Sequence, residues 1–333
     1  MNTMLTVSEA FEEFRSRLEL SKTLQDAVTT HHNAVRKWLE RYDPRIKTHL
    51  IGSLQRQTRI QPRPDKDTFD IDILVVLDSF VRWVAPGEAG TTPAAALGTV
   101  KGIVTQNETY ERMGPETDSP TIALEYAEGI KVELVPAYLD NIGHASDGTS
   151  TLPTGRGYWI PKDSRQWVVA DYDHDADYIS SENERSGGYL IPVIKMLKAA
   201  KRHLFPQMQS YHLEVLATSI VPYLVRHFEG QGQTVSFPLL VWGFFTMAGD
   251  DVLRASQVPL SKSPSADQYL TAIQRQELSQ AFRTCAEHCK QVLGMNDADA
   301  IRGWGRLFGD SSPSPTTSLL AAALWAAQRP KPL

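Results

Sequence analysis

Residues 50–77 read LIGSLQRQTRIQPRPDKDTFDIDILVVL: an apolar lead into a Gly-Ser turn, a basic loop broken by proline, then an apolar strand carrying Asp70 and Asp72. An isolated charge facing a core costs on the order of several kcal/mol, so two of them require water or a counter-charge. Residues two apart on a strand share a face. Asp70 and Asp72 therefore project together, while Phe69, Ile71, Ile73 and Val75 project to the other side.

Two such carboxylates at about 4 Å repel by about 4 kcal/mol at an effective dielectric of about 20, and a bridging divalent cation relieves that repulsion. An oxygen-only donor set selects Mg2+, with Mn2+ as the alternative. Two-metal phosphoryl transfer calls for a further acid. IKVELVPAYL (130–139) supplies Glu133 on a second predicted strand, with Ile130, Val132 and Leu134 facing away from it. Asp65 and Asp67 in RPDKDT repeat the Asp-x-Asp spacing, but Pro64 and the polar surroundings put them on a loop, where solvation is the expected role.

Ahead of the strand, Gly52 and Ser53 end the apolar segment THLIGS and suit a tight turn whose N–H groups and hydroxyl hold a phosphate. A Gly-Ser turn alone carries little weight. Followed by Thr58 and an Asp-x-Asp strand, it carries much more.

Outward from this stretch, residues 5–42 show apolar positions at helical spacing without proline, and predict one or two long helices, the first opened by Ser8. TIALEYAEGIKVELVPAYL (121–139) reads as two strands broken at Glu128-Gly129, and residues 95–113 suit a helix. From about 145 to 185 the chain is turn-rich. Its acidic run Asp171, Asp173, Asp175 and Asp177 lacks the Gly and closing Glu of a calcium loop and is expected to be a solvated loop.

Beyond Gly187-Gly188 the pattern is helical to about residue 308, which gives an α+β chain with a mixed N-terminal lobe and a helical C-terminal lobe. The expected division is 1–185, 186–310, and a Ser/Pro-rich joint, short apolar segment and mobile tail over 311–333. On the helix near Tyr189, Lys195, Lys198 and Arg202 line the side opposite an apolar stripe, and such a basic face is ordinarily solvated. The neighbouring QSYHLEVLA shifts that balance, because Ser210 offers a phosphate-binding hydroxyl and Tyr211 an aromatic platform for a base.

The 333-residue chain is 22% charged and 41% hydrophobic, with a net charge of −5 and no long apolar run. Nothing in it spans a membrane, no global charge draws it to nucleic acid, and its N-terminus lacks the features of a signal peptide, so a cytoplasmic location is expected. Cys285 and Cys289 lie four apart with no second pair to complete a zinc site, and are expected to be buried or semi-buried free thiols.

In order along the chain, GSLQRQT, DIDILVV, VELVPA, a helix containing MLKAAKR, and SYHLE resemble the bacterial cyclic-oligonucleotide synthases (CD-NTases) related to cyclic GMP-AMP synthase and oligoadenylate synthase. The resemblance runs to about GWGRLFGD (303–310); the spaced set is specific although no single piece is. It implies a polymerase-β-like nucleotidyltransferase core with a C-terminal helical lobe and a nucleotide cleft between them. It implies Asp70, Asp72 and Glu133 as metal ligands, Gly52 and Ser53 at the donor triphosphate, Lys198 and Ser210 as further phosphate contacts, and Tyr211 stacked on a base.

Glu133 departs from the Asp more common at the third position of that family. The Cys/His insertion of the animal DNA sensor is missing, which implies no activation by double-stranded DNA. The implied substrates are ribonucleoside triphosphates, ATP or GTP among them. The implied biology is antiphage (CBASS) signalling through a second messenger that activates a separate effector, with regulatory proteins as further partners. Transfer of nucleotides to RNA or protein without a template, and a catalytically silent nucleotide sensor, are the alternatives. Asn183, Arg185, His203 and His212 are candidates for setting base preference.

Overall fold

The computed structural model describes residues 5–64, 66–79, 92–118, 120–140 and 157–309. Asp65, the stretch 141–156 and the joint and tail at 311–333 lie outside the described residues. Contacts divide the chain into two units: Leu20–Ser180 with Gln257–Ser265, and the chain up to Glu19 with Ser181–Ser256 and the chain from Ala266 onward.

The first unit is built on a sheet. Helix α2 (Lys22–Tyr42) leads into β1 (Lys47–Leu50), the one-turn helix α3 (Gly52–Gln55) and the long strand β2 (Phe69–Ser79). Helices α4 (Pro93–Thr105) and α5 (Glu108–Arg112) precede β3 (Glu116–Asp118), β4 (Thr121–Glu125) and β5 (Ile130–Leu139). Strands β6 (Tyr158–Pro161) and β7 (Trp167–Ala170) follow. The strand order is β1-β2-β5-β4-β3, with β6 joined to β5 and β7 to β6; β2 and β5 are parallel neighbours.

The alternation of β2 decides which face is which. Phe69, Ile71, Ile73 and Val75 enter a core with Val132 and Leu134 of β5, Val35 and Leu39 of α2, and Val100 and Val104 of α4. The indole N–H of Trp38 on α2 donates to the carbonyl of Ile103 on α4 at 3.0 Å and ties the two covering helices together. On the opposite face, Leu74, Val76, Val135 and Ala137 form a second, smaller core with Ile51, Tyr158, Ile160 and Ala170. From Ile73 to Leu77, β2 is thus apolar on both faces. Only its first half carries Asp70 and Asp72, both half-buried.

One sequence expectation fails in this unit. The acidic run after Ala170 is a helix, α6 (Tyr172–Arg185), not a solvated loop. Asp173 and Asp175 sit in its first turn, where carboxylates suit the positive end of the helix dipole. Asp171, just ahead of the helix, and Asp175, Ala176 and Ile179 within it are buried. Ser263, from the returning segment 257–265, accepts from the N–H of Asp171 at 2.8 Å and donates to Asp175 at 2.9 Å. A contact about 90 positions away in sequence converts what reads locally as solvation into a buried helix start.

The second unit is helical: α1 (Val7–Leu18), α7 (Leu190–Leu204), α8 (Ser210–Gly230), α9 (Phe237–Asp251), α10 (Ala272–Leu293) and α11 (Asp297–Phe308). Helix α1 starts two residues earlier than Ser8 implied, because Thr6 and Glu9 form a reciprocal capping box. Phe11 and Phe14 of α1 pack on Trp304 and Phe308 of α11. Phe205, Phe244, Phe245 and Phe282 form the centre of the bundle. Cys285 and Cys289 are buried and free, as expected, and burial pushes the Cys285 thiol up to about 12. Neither is an exposed nucleophile.

Candidate active site

Asp70 and Asp72 stand on β2 directly opposite Lys131 and Glu133 on β5. In a parallel pair, residues in register share a face, so one patch of sheet carries three carboxylates and an ammonium. The structure therefore brings Glu133 beside the Asp-x-Asp pair, as its strand assignment implied.

The turn comes to the same place. The Ile51 N–H donates to the Asp72 carbonyl at 3.0 Å, which lays the chain after β1 along the start of β2. Gly52 then adopts φ +69°, a left-handed conformation that L side chains rarely hold. A Cβ at Gly52 would overlap Asp72 Oδ2 and stand 3.0 Å from its Cγ, so glycine is required for the close approach as well as for the dihedral. The Ser53 carbonyl accepts from the Thr58 N–H at 3.0 Å, and the fully buried Thr58 closes the turn.

Burial pushes the Asp72 carboxyl up to about 6, the charge of Glu133 and then that of Asp70 pushing the same way, and Arg59 and Arg56 opposing them. Three carboxylates held on one face in this manner lack positive charge. Two side chains supply part of it. Arg59 Nη2 lies 3.7 Å from Asp70 Oδ2, its Nη1 donates to Ser53 Oγ at 3.3 Å, and its guanidinium rests 4.2 Å from the centre of the Phe69 ring. Lys131 Nζ lies 2.7 Å from Glu133 Oε1 and 3.1 Å from Asp118 Oδ2. The hydrogen bond to Glu133 holds the Lys131 ammonium well above the ordinary lysine range.

The donor chemistry fits a hard divalent cation: oxygen ligands, excess negative charge and no thiolate or imidazole among them. Among the described residues no three carboxylate, imidazole or thiolate groups gather closely enough to hold an ion as they stand. Glu133 is committed to Lys131 instead.

Sequence reasoning passed over several residues here. Arg56 and Arg59 belong to the basic loop RQTR, whose charge was visible but whose targets were not. Gln55, at the end of α3, donates to Asp173 Oδ1 at 2.9 Å, and the Tyr158 hydroxyl donates to Asp173 Oδ2 at 3.0 Å. The first turn of α6 thus braces the Gly52–Gln55 turn from behind. Asp67, set aside as loop solvation, accepts from the Arg63 backbone and guanidinium, closing the proline-broken loop.

Lys198, Ser210 and Tyr211 belong to the helical unit. The basic face of α7 is not solvated. Lys195 is buried and bonded to Glu19 at 2.7 and 2.8 Å, and buried Lys198 pairs with the fully buried Glu214 at 2.5 Å. Ser210 is the exposed first residue of α8, and Tyr211 beside it is half-buried. Of the four base-preference candidates, His212 is a core histidine, fully buried with Nδ1 3.1 Å from the Tyr269 hydroxyl and Nε2 3.1 Å from Ser256 Oγ. Burial pushes its imidazole down to about 4. Asn183 caps the start of α7 by accepting from the Ile191 N–H, Arg185 pairs with Glu182, and His203 meets the Arg306 carbonyl.

The family model for a Second Messenger Oligonucleotide or Dinucleotide Synthetase domain (SMODS) matches residues 4–167. None of the curated proteins matches the chain in sequence. Solved structures do share its fold. CdnC of E. coli MS115-1, solved with ATP, is 14% identical over 93% of this chain and 99% of its own, with a TM-score of 0.68. CdnG of Bradyrhizobium diazoefficiens, solved with GTP, is 14% identical over 91% and 95%, with a TM-score of 0.65. DncV of Vibrio cholerae, a cyclic AMP-GMP synthase and prokaryotic cGAS homologue, is 11% identical over 92% and 87%, with a TM-score of 0.56. Among the described residues no helix is long and apolar enough to cross a membrane.

Proposed function

Through its SMODS domain this chain belongs to the second-messenger oligonucleotide synthetases, nucleotidyltransferases that make cyclic oligonucleotides, and from that premise we propose that it joins and cyclises ribonucleoside triphosphates into a cyclic di- or trinucleotide, with release of pyrophosphate, in a reaction that depends on Mg2+ or Mn2+. ATP and GTP are the proposed substrates, antiphage signalling in the cytoplasm the proposed setting, and a product-activated effector the proposed partner. The observation that carries the chemical reading is the register of β2 with β5, which sets Glu133 opposite Asp72 and beside Asp70, with the Gly52 turn against Asp72.

In this reading Asp70, Asp72 and Glu133 hold divalent cations through their oxygens. When bound, such a cation lowers the pKa of an attacking ribose hydroxyl and neutralises charge on the triphosphate. The backbone N–H groups and hydroxyl of the Gly52-Ser53 turn receive the donor phosphates, and Arg59, already bonded to Ser53, adds positive charge to that end. The Asp173 brace on Gln55 keeps the turn in place, so the phosphate is oriented without reorganisation of the chain. Lys198 and Ser210 are proposed as further phosphate contacts and Tyr211 as the platform for a base.

Incubation with all four ribonucleoside triphosphates and Mg2+ or Mn2+, followed by phosphatase treatment and mass spectrometry, tests the proposal. A phosphatase-resistant cyclic product, lost in Asp70→Asn, supports it. Nucleotides found instead on RNA or protein, or full activity in Asp70→Asn, overturn it.

A further inference from the structure

Lys131 lies inside the carboxylate face and has no part in the reaction as described so far. Register pairs it with Asp70, just as Asp72 is paired with Glu133, so the four side chains occupy the corners of one patch on two parallel strands. Its side chain is only 19% exposed, and its ammonium is shared between an inner acceptor, Glu133 Oε1 at 2.7 Å, and an outer one, Asp118 Oδ2 at 3.1 Å. Asp118 is 65% exposed, on the open side of β3.

Resting on the metal-dependent reading above, we propose that Lys131 is a built-in counter-ion of the active site, which satisfies Glu133 when no divalent cation is bound, competes with the cation for that carboxylate, and withdraws to Asp118 when the cation enters. The arrangement supplies both positions. A monovalent ammonium at Glu133 offsets part of the repulsion among Asp70, Asp72 and Glu133, and the second acceptor keeps Lys131 paired after it yields Glu133. Arg59, at 3.7 Å from Asp70, is the looser of the two cations and is already engaged with Ser53 and Phe69. Lys131 therefore lowers metal affinity and stabilises the metal-free fold. It acts as a positioning residue and touches neither substrate nor the reacting atoms.

The test is Mn2+ binding by the full chain, followed by calorimetry and by electron paramagnetic resonance of free Mn2+ at fixed ionic strength, together with melting curves in chelator and in excess Mn2+. Lys131→Met is expected to bind Mn2+ about fivefold more tightly, the scale of one partly exposed ion pair. It is also expected to melt lower than wild type in chelator and to recover that deficit in excess Mn2+. Asp118→Asn confines the ammonium to Glu133 and is expected to weaken Mn2+ binding by about twofold. That effect should vanish in the Lys131→Met background, whereas a general loss of negative field would persist there.

Should Lys131→Met fail to fold, Lys131→Gln carries the same comparison. Wild-type binding of Mn2+ with equal or weaker binding in the Lys131 variant overturns the proposal while sparing the metal reading. So does weakened nucleotide binding with unchanged Mn2+ binding, which would make Lys131 a phosphate ligand. No Mn2+ binding by wild type overturns the metal reading and the proposal with it.

Discussion

Replacement of Gly52 by alanine separates two costs that usually arrive together. The first is conformational: at φ +69° an alanine is strained by about 1–2 kcal/mol. The second is positional: the new Cβ overlaps Asp72 Oδ2, with Asp72 Cγ at 3.0 Å, so the turn or the carboxylate must move. Gly114 serves as the control, because it has φ +65° and nothing within 4 Å of an added Cβ. Both variants are expected to melt lower by at least about 1–3 °C, the scale of the shared dihedral cost in a protein of this size. Only Gly52→Ala is expected to lose turnover. A displacement of about 1 Å between a reacting group and its orienting neighbours costs about 100-fold in rate. Pyrophosphate release and cyclic product, measured at a temperature where both variants remain folded, provide the assay. Gly52→Ala with the activity of Gly114→Ala would refute the proposed role of the turn beside Asp72 in the reaction.

Further outcomes follow from the same geometry. Asp72→Asn should abolish product yet stabilise the metal-free protein at pH 7.5: a folded-state carboxyl raised from 3.8 to about 6 opposes folding as pH climbs through that window, by up to about 3 kcal/mol, and chelator melts read the relief. His212, held neutral with its folded value near 4, acts in the other direction. The unfolded chain takes up a proton below about 6.5 that the fold refuses, so stability falls by about 2 kcal/mol between pH 7 and pH 5, and His212→Gln should flatten that slope in urea titrations. Asp173→Ala removes the acceptor of both Gln55 and the buried Tyr158 hydroxyl and should raise KM for the donor triphosphate several-fold; the unpaired hydroxyl should also lower the melting temperature, so KM is read where the variant remains folded.

What could be read from the sequence divides along a physical line. Period-two alternation fixes the face of each residue on a strand, so Asp70 and Asp72 were assigned to one side and Ile71 and Ile73 to the other without any partner strand in view. Register is a different kind of information. Lys131 stands two residues before Glu133 and was quoted with it, yet its place opposite Asp70 depends on β2 and β5 being parallel neighbours in one particular alignment, which no local pattern encodes. The same distinction explains α6, where burial of Asp171 and Asp175 rests on Ser263, and the α7 lysines, whose charges are absorbed by Glu19 and Glu214. For the acidic run and the α7 lysines the local reading assigned a charge to water, because water is the partner a sequence always offers. Where distant chain segments meet, the protein supplies another polar or charged group instead, and at Glu133 that partner bears on the proposed chemistry: the ammonium paired with the carboxylate is also what the proposed cation would have to displace.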